Sequence, residues 1–257
     1  MLPPIVLLTD FGHQDPYVGQ MKGVILRHAP GVPIVDLCHE ISACNVAQAA
    51  FMVHASYAFF PERSIFVCVV DPGVGTARRL LLACLDERFF LAPDNGLLNF
   101  LRNGEASWWV VGADASPVGS TFHGRDILAP LAARLALGEP PHRLGVPMIS
   151  GLSASSMSGA RFGPDILECT VMHIDRFGNC LLDVQISAHL RTGRPWRMGR
   201  RIVTEADTYA QLPPGRIGLI PGSQGVMELA MNQASCARAL NLEAGCKLTL
   251  RPRERRP

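Results

Sequence analysis

The chain has 257 residues, of which 48% are hydrophobic and 18% charged, with a net charge of +2, enough to bury one large core or two modest ones. No charge-free apolar run reaches the roughly 18 residues of a membrane span, and the start "MLPPIVLLTDFG" offers no basic leader or small-residue cleavage site, so a cytoplasmic location is expected. The tail "RPRERRP" holds four arginines against one glutamate and leaves the body near −1, which excludes a nucleic-acid-binding balance; the tail reads as a solvated, frayed end.

In chain order, "PIVLLT" (4–9), "VPIVDL" (32–37), "SIFVCVV" (64–70), "FFLA" (89–92) and "WWVVG" (108–112) predict strands. Several are apolar throughout, as strands covered on both faces are. Between them, 17–29, 45–59 and 124–138 carry apolar residues at helical spacing, the last interrupted by Pro130 and closed by Gly138. This alternation predicts an N-terminal α/β layered domain over 1–150 with a mostly parallel sheet. The small, polar, aperiodic stretch near 150–160 marks a linker, placed at 151–163. From 164 to 257 short β-type runs ("ILECTVMHID", "CLLDVQI", "RIGLIPG", "CKLTLRP") predict a smaller, mainly β domain, with a weak helix near 225–240.

Eight cysteines sit mostly in apolar segments without a C-x-x-C pair and read as buried free thiols in a reducing compartment. Metal-ligand spacings, glycine-rich phosphate loops and G-x-S-x-G are all absent from the sequence. Neither a metal nor a cofactor is therefore expected.

Polar residues collect where the predicted strands end, the place where α/β sheets bind ligands. Asp10 and Asp15 follow the first strand. Asp15, before Pro16, fits a helix N-cap or a ligand contact; Asp10 lies too far from the helix to cap it and fits a ribose diol, whose hydroxyls a carboxylate accepts side by side. "DPGVGTARR" brings Asp71 and Arg78 together through a loop with one stiff and two permissive residues, either a tight turn with a surface pair or an anion-facing site. "APDNGLL" places Asp94 and Asn95 in an Asx-type turn or at a ligand. His123 opens a helix in "TFHGRDI", structural or catalytic, and "HIDRFGNCLLD" sets Asp175, Phe177 and Asn179 around Gly178, a turn signature by itself. Together the five places offer an acid, an arginine, a neutral base, an aromatic and amides.

The words "TDFG", "YVGQMKGVI", "VVDPGVGTARR", "APDNGLL", "TFHGRDI", "ID.FGN" and "GS.G..E.A.N", in this order over roughly 5–250, resemble the S-adenosyl-L-methionine hydroxide adenosyltransferases, hydrolytic relatives of the fluorinating and chlorinating enzymes. The resemblance implies an α/β domain followed by a barrel-like β domain, and a homotrimer with substrate held between one subunit's N-terminal domain and its neighbour's C-terminal domain. It implies that water attacks C5′ of S-adenosylmethionine to give adenosine and methionine, with S-adenosylmethionine as substrate rather than cofactor. Asp71, Arg78 and His123 then take the catalytic positions. Asp10 would hold the ribose and Asp15 the methionine end; Phe177, Asn179 and the backbone near Met231 and Gln233 would hold adenine; Asp175 and Ser223 would meet the amino-acid part, and Asn95 joins the substrate-binding set. Gln224 and Gly222 depart from the family pattern, which carries an aromatic or Arg at the first and Asn at the second. Halide-transferring relatives carry Tyr, Thr and Ser where this chain has Asp71, Val74 and Gly124. A carboxylate ~4 Å from a halide repels it by about 4 kcal/mol at an effective dielectric of 20, so hydrolysis is expected over halogenation. A non-catalytic S-adenosylmethionine or adenosine sensor is the remaining alternative.

Overall fold

The computed structural model describes residues 1–112, 121–148, 151–154, 159–163, 165–187 and 195–253. Parts of the expected linker (155–158) and the last four residues of the basic tail lie outside them. The chain divides into two compact units, 1–156 and 157–257.

The first unit runs β1 (Ile5–Thr9), α1 (Tyr17–His28), β2 (Ile34–Cys38), α2 (Val46–Ser56), β3 (Ile65–Val69), β4 (Leu80–Leu85), β5 (Arg88–Pro93), β6 (Ser107–Val111), α3 (Ala129–Ala136) and β7 (Gly145–Pro147). Its seven-stranded sheet has the order β2-β1-β3-β5-β4-β6-β7. Pairing is parallel from β2 to β5 and antiparallel from β5 to β7, so only β4 and β7 run against the other strands. The parallel expectation therefore describes strand direction, while half of the ladders are antiparallel. The short antiparallel strand β4, "LLLACL", follows the Asp71–Arg79 loop and was not among the predicted strands; a continuous apolar run without helical length carries no period to distinguish it.

Successive side chains of a strand face opposite sides, and both sides are covered here. Ile5, Leu7, Ile65 and Val67 pack with Met21 and Ile25 of α1 and Leu131 and Leu135 of α3. Val6, Leu8, Phe66 and Cys68 pack with Val46, Ala49 and Val53 of α2. This is why β1 and β3 are apolar at every position and fully buried.

The predicted helix over 124–138 divides in two. Gly124–Leu128 forms one wide π-turn and α3 follows with Pro130 in its first turn. Proline has no N–H to give Asp126, and its ring crowds the carbonyl four residues back, so the chain here winds wider than an α-helix.

The second unit comprises β8 (Arg161–Gly163), β9 (Ile166–Ile174), β10 (Cys180–Gln185), β11 (Trp196–Met198), β12 (Arg201–Glu205), β13 (Ile217–Pro221), β14 (Val226–Met231), α4 (Cys236–Leu240) and β15 (Lys247–Pro252). The order β10-β14-β13-β12-β11-β15-β9 closes on itself through the β9–β10 pairing, making a seven-stranded barrel with β8 appended. Trp196, Leu167, Val171, Leu182, Leu219 and Leu229 fill it, so no strand edge of the ring is left open. The weak helix near 225–240 is in fact β14 followed by the short α4; "VMELAM" is buried along almost its whole length between β10 and β13, and that packing overrides helical propensity.

Candidate active site

A cavity of about 580 Å³ opens on the α/β unit at the ends of β1 and β3, lined by Asp10, Phe11, Asp15 and Tyr17, by Val69, Asp71 and Val74, and by Thr121 to Arg125. Of the sequence candidates it gathers Asp10, Asp15, Asp71 and His123.

Asp71 stands two residues beyond β3. Its Oδ1 accepts the Gly73 N–H at 3.2 Å and the Arg78 Nε–H at 2.6 Å, and Arg78 Nη2 pairs with Oδ2. The loop turns on itself through Val74 N–H to Asp71 O and Thr76 N–H to Gly73 O, with Gly75 at φ +80°. A Cβ on Gly73 would lie 3.3 Å from Arg78 Cδ, so the glycine makes room for the arginine. The expected tight turn with an Asp–Arg pair is real, but the pair is buried, with side chains 7% and 12% exposed, and does not sit on the surface. Arg78 is not itself among the residues that line the cavity, and its Nη1 is buried without a hydrogen-bond partner.

His123 leads into the π-turn, and its Nδ1 is likewise buried and unpartnered. Burial, reinforced by the Arg78 charge and partly opposed by Asp126, pushes its pKa below the ordinary imidazole value. Burial also lowers the Arg78 pKa, although a guanidinium keeps its charge through neutral pH. Buried polar atoms left without partners cost about 1–3 kcal/mol each and are uncommon outside functional sites.

Asp10 Oδ2 accepts the Cys44 N–H at 2.9 Å, and the residue lines the cavity. Asp15 is exposed and makes no cap: α1 begins after Pro16 without a side-chain cap bond, so the capping reading fails, and the residue lies in the cavity lining. Asp94 and Asn95 are outside the cavity lining. Asp94 accepts from Arg79 Nε and Nη2 at 2.9 and 2.5 Å and from the Ser153 N–H at 3.0 Å. Asn95 Nδ2 donates to Val70 O and its Oδ1 accepts the Leu97 N–H, the Asx turn in full, so its amide is committed to the backbone beside Asp71.

The other candidates belong to the barrel unit. Asp175 accepts from Phe177 N–H, Asn179 N–H and Asn179 Nδ2 at 2.8–2.9 Å; its carboxylate is occupied in organising its own turn. That turn leaves Phe177 78% exposed and Asn179 buried. Gly178, at φ +86°, leaves no room for a Cβ, which would fall 2.0 Å from Ser235 Oγ. Met231 and Gln233 lie at the end of β14 next to this turn, since Cys180 pairs with Leu229, while Ser223 lies in the turn before β14. The departure at Gly222 has a cause: a Cβ there would sit 2.1 Å from Oε1 of buried Glu228, which accepts from the Tyr209 hydroxyl at 2.7 Å.

Phe11, Tyr17, Thr121 and Phe122 line the cavity without having been singled out. Phe11, Tyr17 and Phe122 meet edge to face with centroids 5.4–5.7 Å apart. Their signal was adjacency, since Phe11 follows Asp10 and Phe122 precedes His123. Among the described residues no group of three His, Cys, Asp or Glu side chains is placed to hold a metal ion, and no helix is long and apolar enough to cross a membrane.

Residues 5–145 match the SAM hydroxide adenosyltransferase N-terminal domain and residues 169–249 its C-terminal domain, and the chain belongs to that family. It is 35% identical over 262 residues to an (R)-S-adenosyl-L-methionine hydrolase of Thermus thermophilus, covering 96% of this chain and 99% of the relative. A fluorinase of Actinoplanes sp. is 26% identical over 297 residues, covering 96% and 97%. The fold is shared with an uncharacterised conserved protein from Thermotoga maritima, with a TM-score of 0.87 at 29% identity over 96% and 99% of the two chains.

Proposed function

We propose that this protein hydrolyses S-adenosyl-L-methionine at C5′, giving adenosine and L-methionine. The observation that carries the reading is the pair of unpartnered buried nitrogens, Arg78 Nη1 and His123 Nδ1, beside a cavity that also presents Asp10 and Asp71. Because the Arg78 charge acts on His123, one water is assigned to accept from Arg78 and donate to His123. Its oxygen attacks C5′, the C5′–S bond breaks with its electron pair going to sulfur, and the proton passes to His123. The leaving group is a neutral thioether and needs no acid. His123 is the acceptor because it is held neutral, whereas both oxygens of Asp71 are engaged by Arg78. Asp71 orients the guanidinium, and the guanidinium stabilises the developing hydroxide.

Asp10 takes the ribose diol and Asp15 the methionine end. Phe177, Asn179, Met231 and Gln233 take adenine, with Ser223 at the amino-acid part, and no metal or cofactor takes part. These barrel residues complete the cavity from a neighbouring subunit of a cytoplasmic homotrimer. Halide transfer, the chemistry of the fluorinase relatives, is the second reading; it is disfavoured because three of the hydrolase relatives are 32–35% identical and the fluorinases 26–27%.

Purified protein incubated with S-adenosylmethionine in water labelled with heavy oxygen should release adenosine carrying the label at the 5′-oxygen. Unlabelled adenosine removes water attack at C5′; a 5′-halogenated product in chloride or fluoride selects the halogenase reading; tight binding without product selects the sensor.

A further inference from the structure

The loop between β1 and α1 carries Asp10, Phe11 and Asp15 into the cavity, and both of its ends converge on one residue pair in β2 and just after it. At the leading end, Thr9 is fully buried and its Oγ1 lies 2.8 Å from His39 Nδ1. His39 is 1% exposed and its Nε2 lies 3.1 Å from Asp36 Oδ1. At the trailing end, Lys22 on α1 donates to Asp36 Oδ2 at 2.6 Å. A single carboxylate thus holds the loop before and after, one oxygen for each end.

The direction of every bond in this chain is determined. Asp36 only accepts, so His39 Nε2 carries the proton; burial keeps the ring neutral, so Nδ1 accepts and the Thr9 hydroxyl donates. The Thr9 oxygen is then free to accept the Phe11 N–H, which lies 3.3 Å away. His39 O accepts the Gly12 N–H at 2.8 Å, and Asp10 itself accepts from Cys44 a few residues further on. The backbone on both sides of Asp10 is therefore tied to the segment 36–44, and Thr9, Lys22, Asp36 and His39 are themselves outside the cavity lining.

We propose that Asp36 and His39, acting through Thr9 and Lys22, are positioning residues that set the orientation of Asp10 and so the recognition of the ribose. The assignment rests on Asp10 holding the ribose diol. Thr9 and Lys22 act on binding, not on the chemical step, which belongs to the Asp71, Arg78 and His123 group on other loops.

The test compares Thr9→Val, which keeps the shape and removes the hydroxyl, with Thr9→Ser, which keeps the hydroxyl, and with Lys22→Met at the partly exposed end. Dissociation constants for adenosine and 2′-deoxyadenosine are measured beside kcat and KM. Wild type should prefer adenosine by about tenfold or more, the low end of what one hydrogen bond to a charged group contributes. Thr9→Val should lose most of that preference and raise KM by a similar factor, with kcat at saturation changed less than about threefold; Thr9→Ser should restore both, and Lys22→Met should move them the same way by less. A Thr9→Val protein with full preference and unchanged KM overturns the proposal, as does an equal fall in kcat and affinity that Thr9→Ser does not rescue. If Thr9→Val does not fold, a Lys22→Met protein with wild-type preference overturns it. A wild type that does not distinguish the two nucleosides removes Asp10 from the ribose and the positioning role with it, while adenosine formation from S-adenosylmethionine still stands or falls on the labelling experiment.

Discussion

Burial and the neighbouring Arg78 charge act in the same direction on His123, and both leave its Nδ1 lone pair available through neutral pH. A base that protonates only below the ordinary imidazole value of about 6.5 implies a rate that is flat from neutral pH downward past 6.5 and falls only when His123 gains its proton. Replacing His123 by Ala should remove that acid limb and lower kcat by about 10²–10⁴-fold, with KM changed only a few-fold, since the ring is assigned to the proton and not to binding. Steady-state rates across pH 5–8 check both; an unchanged acid limb in the variant takes His123 out of the proton transfer. Asp71 differs in kind. It is locked to Arg78 and Gly73, so Asp71→Asn should depress kcat and also loosen the loop, because removing one member of a buried pair leaves an uncompensated guanidinium at about 3–5 kcal/mol.

Each of these residues is held in place by the element next to it. Arg79, one residue after Arg78, reaches Asp94 beyond β5 and the Gly151 carbonyl, while Asp94 and Asn99 hold Ser153. This latch binds the start of the inter-unit segment to the α/β sheet and fixes the far end of the Asp71–Arg79 loop. Among the described residues, Arg79→Met leaves the buried Asp94 carboxylate with its Ser153 contact alone and should destabilise the unit by about 3 kcal/mol, read as a lowered urea midpoint at constant slope; an unchanged midpoint would mean the latch carries nothing. The sequence singled out Asp71, Arg78 and His123 because Asp71 follows an apolar run, Arg78 closes the same loop before the next one and His123 opens a helix, places where a polar side chain has a local reason to be noticed. It did not show that Asp94 pairs with Arg79, nor that Asp175 spends its carboxylate on its own turn, because those choices depend on which of several nearby donors the folded backbone presents. Thr9, Asp36 and His39 were invisible for a related cause: Thr9 and His39 are 30 residues apart, and only the parallel pairing of β1 with β2 brings them side by side. The mainly β character of the second unit was legible from short β-type runs and its barrel form only through the family resemblance, but β11, β12 and β14 were not, since their residues follow neighbours across the ring and not an alternating pattern along the chain.

At the scale of the whole chain, the same burial that tunes His123 recurs, and it gives stability a pH dependence of definite sign. His39, His54, His123 and His173 all have pKa values lowered by burial. As pH falls through about 6.5 the unfolded chain takes up protons that the folded imidazoles refuse until lower pH. The unfolded state is then the better proton binder, so stability falls on acidification from about pH 6.5 to the depressed folded values and is level above. Asp183 and Glu228, raised by burial, act with the opposite sign, in a window that starts from their ordinary 3.8 and 4.5 and extends upward; they are two against four and meet the imidazoles only at the acid end. His39 is 1% exposed and faces Asp36, Lys22 and His13. Asp36 alone among these raises its pKa, and does not outweigh burial. Urea midpoints should therefore drop between pH 7.5 and 5.5, and His39→Gln, whose amide does not titrate, should show a smaller drop over the same interval whatever its stability at pH 7.5. Equal drops in the two proteins would place the proton uptake elsewhere, and a level wild-type midpoint would show that the folded imidazoles accept protons as readily as the unfolded ones.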